Sequence, residues 1–323
     1  MKKKVSLITT GGTIASKEMS KGLLDSGVLS GEELASLCQL PDDIEIKIID
    51  AMNLPSMHIT FDLMTHLRNV IIEEFKDDSV SGVVVTHGTD SLEETAYFLD
   101  LTISDSRTVV VTGSQRSPQD VGTDVYSNMR NSISVAVDEQ IKNAGTVVVF
   151  NERIYSAKYV KKIHTSNLQG FSSFGYGYLG IIDNDEVNVY QKPVNRSTYE
   201  PIRAIPRVDI IKCHTNADGT FIDASVSAGA EGIVLEGVGR GQTTPFMTDS
   251  IKKALDNGVK IIITTSAEEG KVYPSYGYKG SANDLKLMGV ILGEDYDSKK
   301  ARIKLAAMLA SGVEVNQVNF SRG

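Results

Sequence analysis

The chain has 323 residues, of which 41% are apolar and 23% charged, and a formal net charge of −8. That length exceeds one ordinary hydrophobic core and predicts two domains. The acidic balance, with no Lys/Arg-rich block beyond Lys2 to Lys4, gives no electrostatic footing for nucleic acid or an anionic membrane surface. The partners expected are a small-molecule substrate and further copies of the chain.

Strand and helix signals alternate from the first residues. Val5 to Thr9 reads as a short apolar strand; it is too short for a signal-peptide core, so a cytoplasmic protein is expected. Ser30-Gly31-Glu32-Glu33 reads as a capping box opening a helix through Leu34 and Leu37, and Ile44 to Ile49 as the next strand. A helix over Thr60 to Phe75 places Phe61, Met64, Leu67, Val70, Ile71 and Phe75 on one face. Gly82 to Thr86 is a buried strand, and Leu92 to Leu101 is a helix with Glu93 and Glu94 suited to the positive end of its dipole. A strand at Val109 to Val111, a helix over Ser127 to Glu139 and a strand at Val147 to Phe150 complete a βαβ alternation, which predicts a mainly parallel sheet covered on both faces.

Past Asn151 the rhythm breaks. Ile181 to Tyr190, with Asp183-Asn184-Asp185 at its middle, predicts a β-hairpin. Pro193, Pro201 and Pro206 mark residues 191–207 as a linker between an N-terminal domain, 1–190, and a C-terminal one, 208–323. The second domain repeats the alternation with strands at Asp209 to Lys212, Ile233 to Glu236 and Lys260 to Thr264, and helices around Thr248 to Asn257 and Ser298 to Ser311. There is no internal repeat, low-complexity segment or transmembrane run.

Cys38 and Cys213 lie far apart, which offers neither a CxxC pair nor a thiolate metal site, and the five histidines show no ligand spacing. No metal is expected. There is no GxxxxGK[ST], and Gly11-Gly12 lacks the dinucleotide spacing. Gly175-Tyr176-Gly177-Tyr178-Leu179-Gly180 fits GxGxxG, but it precedes Ile181-Ile182 rather than a helix and is expected to be a loop.

Three apolar strands each end in a cluster of hydroxyls and glycines: Thr9-Thr10-Gly11-Gly12-Thr13, Thr86-His87-Gly88-Thr89-Asp90 and Thr112-Gly113-Ser114-Gln115. In a right-handed parallel sheet these carboxyl ends share one edge and could line one crevice. Each cluster alone is ordinary turn chemistry, and Asp90-Ser91-Leu92-Glu93 alone reads as a capping box. Two threonines and a carboxylate converging favour function. A threonine hydroxyl attacks only once its proton is withdrawn, by a neutral lysine or a carboxylate-assisted relay. Spacing does not choose the lysine, and Lys161-Lys162 alone reads as a solvated charge run. His87 is expected to be structural, holding its turn through a backbone hydrogen bond.

Thr10-Gly11-Gly12-Thr13-Ile14-Ala15 and Thr86-His87-Gly88-Thr89-Asp90-Ser91-Leu92-Glu93-Glu94-Thr95-Ala96 resemble, in order and separation, the two signature motifs of the bacterial-type L-asparaginases and glutaminase-asparaginases. Gly113 to Arg116, Asp124 to Asn131, Lys162 with Thr165, and Lys300-Ala301-Arg302 extend the resemblance over most of the chain. It implies an α/β fold with a larger N-terminal, mainly parallel-sheet domain carrying a β-hairpin and a smaller C-terminal flavodoxin-like α/β domain. It also implies hydrolysis of L-asparagine to L-aspartate and ammonia through an acyl-enzyme, without a cofactor. Thr13 would be the nucleophile; Thr89, Asp90 and Lys162 would form a triad in which Lys162 withdraws the Thr89 proton, and Asp90 would meet the substrate ammonium. Gly12 and Gly88 would bring backbone to the ligand, with amides near Gly12 and Thr89 holding an oxyanion. A homodimer or homotetramer is implied, each site being completed by a second subunit.

The sequence departs from the family pattern at three places. Ser16 to Ser30, the lid, has no tyrosine, and Leu23 or Leu24 stands in its place. The substrate-binding pair is Ser56-Met57, in which methionine offers no strong hydrogen bond, and Gln242 in Gly239-Arg240-Gly241-Gln242 replaces the asparagine expected to reach the neighbouring site. Alternatives within the enzyme class are an L-glutaminase and the amidase subunit of a tRNA-dependent amidotransferase, although the chain opens on its first strand and is acidic. The alternative of another class is a non-catalytic asparagine or aspartate sensor.

Overall fold

The computed structural model describes residues 2–20, 23–25, 32, 38 and 41–323, which divide into two compact units, Met1–Val194 and Asn195–Gly323. In the first unit the strands are β1 (Lys3–Thr9), β2 (Lys17–Ser20), β3 (Leu23–Asp25), β4 (Ile44–Asp50), β5 (Val80–Thr86), β6 (Thr108–Thr112), β7 (Thr146–Phe150), β8 (Arg153–Ser156), β9 (Lys161–Lys162), β10 (Phe171–Ser172), β11 (Gly180–Asp183) and β12 (Glu186–Val189). Its α-helices are α1 (Phe61–Glu74), α2 (Leu92–Thr102) and α3 (Val125–Ala136). Of the capping box at Ser30 to Glu33 and the helix expected through Leu34 and Leu37, only Glu32 is among the described residues. The lid candidates Leu23 and Leu24 fall on β3, which pairs antiparallel with β2.

Eight strands form one sheet in the order β12-β11-β8-β7-β6-β5-β1-β4. β4, β1, β5, β6 and β7 are parallel neighbours, and β7-β8, β8-β11 and β11-β12 are antiparallel. Val83 to Val85, Val109 to Val111 and Val147 to Val149 are all buried, as strands covered on both faces require. The expected hairpin is β11-β12. Its Asn184 and Asp185 have φ of 51° and 64°, the pair of positive values a two-residue type I′ turn demands. β8 was hidden from periodicity because it is four residues long and enters through Asn151 and Glu152, both at positive φ.

From β1 the chain moves to β4 on one side and then to β5 on the other. The reversal falls between β1 and β5, and in an open α/β sheet the crevice forms beyond the carboxyl ends of the two strands that flank such a reversal. Thr13 follows β1 and Thr89 follows β5.

The second unit holds a four-stranded parallel sheet in chain order: β13 (Val208–Lys212), β14 (Gly232–Gly237), β15 (Lys260–Thr265) and β16 (Ile291–Leu292). It has its own apolar core, built around Ile233, Leu235, Ile251, Ile263 and Leu285. Its long helix, Ser298–Ser311, buries Lys300 and Lys304 completely, and the Lys304 Nζ donates to the Tyr296 hydroxyl at 2.9 Å. No helix among the described residues is long and apolar enough to cross a membrane.

Candidate active site

The ends of β4, β1, β5 and β6 lie side by side, with Asp50 opposite Thr9, Thr9 opposite Thr86, and Thr86 opposite Thr112. The three hydroxyl-and-glycine clusters therefore share one sheet edge. The loops leaving β1 and β5 touch through glycine alone: a Cβ on Gly12, whose φ is +88°, would stand 2.6 Å from both Cα and N of Gly88. A Cβ on Gly88 would in turn stand 2.8 Å from the Ser56 Oγ. Side chains at either position would prise the loops apart, so glycine is what lets the two loops and Ser56 lie against one another.

Thr13 opens a single 3₁₀ turn, Thr13–Ala15, closed by the Ser16 N–H and hydroxyl donating to the Thr13 carbonyl at 3.0 and 2.8 Å. Its residue is half-buried, and its hydroxyl makes no hydrogen bond among the described residues. Ser56 is buried in a second 3₁₀ turn, Ser56–His58, tied to α2 by the Ser91 hydroxyl, which donates to the Ser56 carbonyl at 2.7 Å. Met57 beside it is 70% exposed.

Lys162 reaches this edge from β9. Its Nζ donates to Thr89 Oγ1 at 2.8 Å and to Asp90 Oδ1 at 2.7 Å. The lysine side chain is 15% exposed and that of Asp90 63%, so the ammonium is sheltered while the carboxylate keeps a face toward solvent. Lys162 is thus held in place, unlike a solvated charge run. The capping-box reading of Asp90 to Glu93 also gives way: Ser91 makes no side-chain cap, its hydroxyl being spent on Ser56, and Glu93 Oε2 accepts the Lys162 backbone N–H at 2.6 Å.

His87 is fully buried. Its Nδ1–H donates to the Gly88 carbonyl at 2.8 Å, the turn-holding bond expected of it, and Nε2 has no hydrogen-bond partner among the described residues. Burial pulls its pKa down to about 4, against a smaller upward push from the Gly88 carbonyl, so the ring is neutral near pH 7.

Sequence reading attached no role to the residues that shape the third cluster. The buried Asp124 carboxylate accepts from the N–H groups of Gln115 (3.0 Å) and Arg116 (3.0 Å) and from Asn128 Nδ2 (3.0 Å). Asn128 also donates to the Gly113 carbonyl at 2.9 Å and accepts the Asn151 N–H at 3.0 Å. Asp124 and Asn128 sit one helical turn apart, a spacing too common to have flagged them.

In the second unit Gln242 is buried, and its Oε1 accepts the Ala282 N–H at 2.9 Å. Its Nε2 has no hydrogen-bond partner among the described residues. No group of three or more His, Cys, Asp or Glu among them is arranged to hold a metal ion.

Comparison with known proteins gives the family. Residues 4–195 match the family model "Asparaginase, N-terminal" and residues 207–319 match "Glutaminase/Asparaginase C-terminal domain". An L-asparaginase of Bacillus licheniformis is 61% identical over 311 residues, covering 96% of this chain and 97% of that protein. L-asparaginase 2 of Bacillus subtilis is 34% identical, covering 85% of this chain and 76% of the relative. The crystal structure of a probable cytoplasmic L-asparaginase from Campylobacter jejuni superimposes with a TM-score of 0.89 at 28% identity, over the whole of both chains.

Proposed function

The chain belongs to the asparaginase family, and from that membership we propose that it hydrolyses L-asparagine to L-aspartate and ammonia. The observation that carries the reading is the Lys162 Nζ held between Thr89 Oγ1 and Asp90 Oδ1 at the edge where the Thr13 loop meets the Thr89 loop. Thr13 is the nucleophile: its hydroxyl adds to the side-chain amide carbon, the amide nitrogen leaves as ammonia after protonation, and an ester to Thr13 remains. Water then adds to that ester and releases aspartate. Thr89 Oγ1 and Lys162 Nζ are 2.8 Å apart; with Lys162 in its neutral amine form, Thr89 gives its hydroxyl proton to Nζ as it takes the proton of the attacking group, and the ammonium so formed returns a proton to the leaving nitrogen. The half-exposed Asp90 carboxylate balances the lysine and meets the substrate's α-ammonium, while Ser56 and the bare backbone at Gly12 and Gly88 line the pocket.

The Campylobacter relative's description supports placing the chain in the cytoplasm. We also assign Gln242, from its place in the loop where the family pattern has an asparagine, a contact with the substrate in a second copy's site, which makes the working form a homodimer or homotetramer.

The test is ammonia release from L-asparagine by purified protein. Thr13→Ala is expected to lower kcat roughly 10³-fold or more with an unchanged circular-dichroism spectrum; near-native turnover would remove Thr13 from the mechanism. Rates on L-glutamine in the same assay define preference, because one methylene is worth about 1 to 3 kcal/mol.

A further inference from the structure

We infer that Glu93 is a positioning residue for Lys162, its buried carboxyl fixing the point on the backbone from which the ammonium reaches Thr89 and Asp90. The inference rests on the reading of Lys162 given above and adds a residue to it. β9 is two residues long and pairs with β10, with Phe171 opposite Lys162. The tip of this hairpin closes on itself, the N–H of Ile163 donating to the Gly170 carbonyl at 2.8 Å. The Lys162 N–H instead leaves the hairpin and donates to Glu93 Oε2 at 2.6 Å. Glu93 is 1% exposed and stands in the first turn of α2.

Thr89, Asp90 and Glu93 thus fall within five consecutive positions at one helix start. That start grips Lys162 twice, at its ammonium through Thr89 and Asp90 and at its backbone through Glu93. A lysine side chain has four rotatable bonds, so contacts at Nζ alone leave its Cα free to drift. Fixing the amide removes that freedom, and a displacement of about 1 Å at a reacting group can cost on the order of 10²-fold in rate. A carboxyl so deeply buried is expected to have hydrogen-bond partners, and this amide supplies one.

The test uses the full chain, L-asparagine and three substitutions. Glu93→Ala removes the acceptor and is expected to lower kcat at least tenfold while KM stays within threefold of wild type. Glu93→Gln keeps an oxygen at the same reach and is expected to retain kcat within threefold. Glu93→Asp withdraws the oxygen by one methylene and is expected to fall at least tenfold below Glu93→Gln. A Glu93→Gln variant as poor as Glu93→Ala, or a folded Glu93→Ala with wild-type kcat, overturns the inference. Should Glu93→Ala fail to fold, Asp against Gln decides it, and equal rates for those two overturn it. Lys162→Met is measured alongside. If that variant turns over like wild type, the assignment of Lys162 falls and the inference with it, a result distinct from Lys162→Met dead and Glu93→Ala fully active.

Discussion

At the scale of single residues, the most informative is one that does no chemistry. His87 draws attention beside Thr89, yet its ring is sealed in and binds its own turn. Its pKa stands near 4 in the folded chain, against 6.5 for a free histidine. The unfolded chain therefore binds the extra proton between those values, so the contribution of this residue to stability is fully present above pH 6.5 and is lost as pH falls toward 4. The loss attributable to this residue is about 3 kcal/mol, from the separation of the two values. Urea unfolding of His87→Gln at several pH values is expected to show a flatter pH dependence over that window than wild type; an unchanged slope would assign the acid sensitivity to other groups. Cys38 shows the same physics for a thiol: burial pushes its pKa up to about 12, so it is protonated and unreactive at neutral pH.

At the scale of elements, the site is a set of loops gripped by helix starts. Asp124, just ahead of α3, holds the N–H groups of Gln115 and Arg116 at the end of β6. Asp124→Ala strands those donors in a buried setting and is expected to destabilise the chain by on the order of 3 kcal/mol, with Asp124→Asn, which keeps one oxygen, losing less. Urea melts of the two variants check it, and equal midpoints would show that the carboxylate is dispensable to the loop. α2 works in the same way on β9 through Glu93. Neither grip was legible in sequence: an acid near a helix start is a capping or dipole residue by local rules, and its true partner lies 69 positions away for Glu93 and 9 for the Gln115 amide. Lys162 was obscure for the same reason. Two adjacent lysines look solvated until the β9-β10 hairpin brings one of them against Thr89.

For the whole molecule, two units with separate cores match the two family models one each, and the Thr13, Ser56, Thr89, Asp90 and Lys162 cluster lies wholly in the first. The assignment of Gln242 to a second copy's site makes activity a property of the assembly. Sedimentation equilibrium is expected to give a mass two or four times that of the chain. Gln242→Leu is expected to raise KM for asparagine roughly tenfold, about what one lost hydrogen bond to a charged ligand costs; a fully active monomer would refute it. By itself the sequence determined the alternating strands and helices, the β-hairpin at Ile181 to Tyr190, the glycine-hydroxyl strand ends and the family, because each of these is written in residues close together along the chain. Tertiary structure alone decided which strands are neighbours and hence that the order reverses between β1 and β5, that Gly12 meets Gly88, and that Lys162 and Glu93 face each other. Those contacts join segments tens of residues apart, and only the register of the large sheet together with the packing of the β9-β10 hairpin on the start of α2 sets their distances.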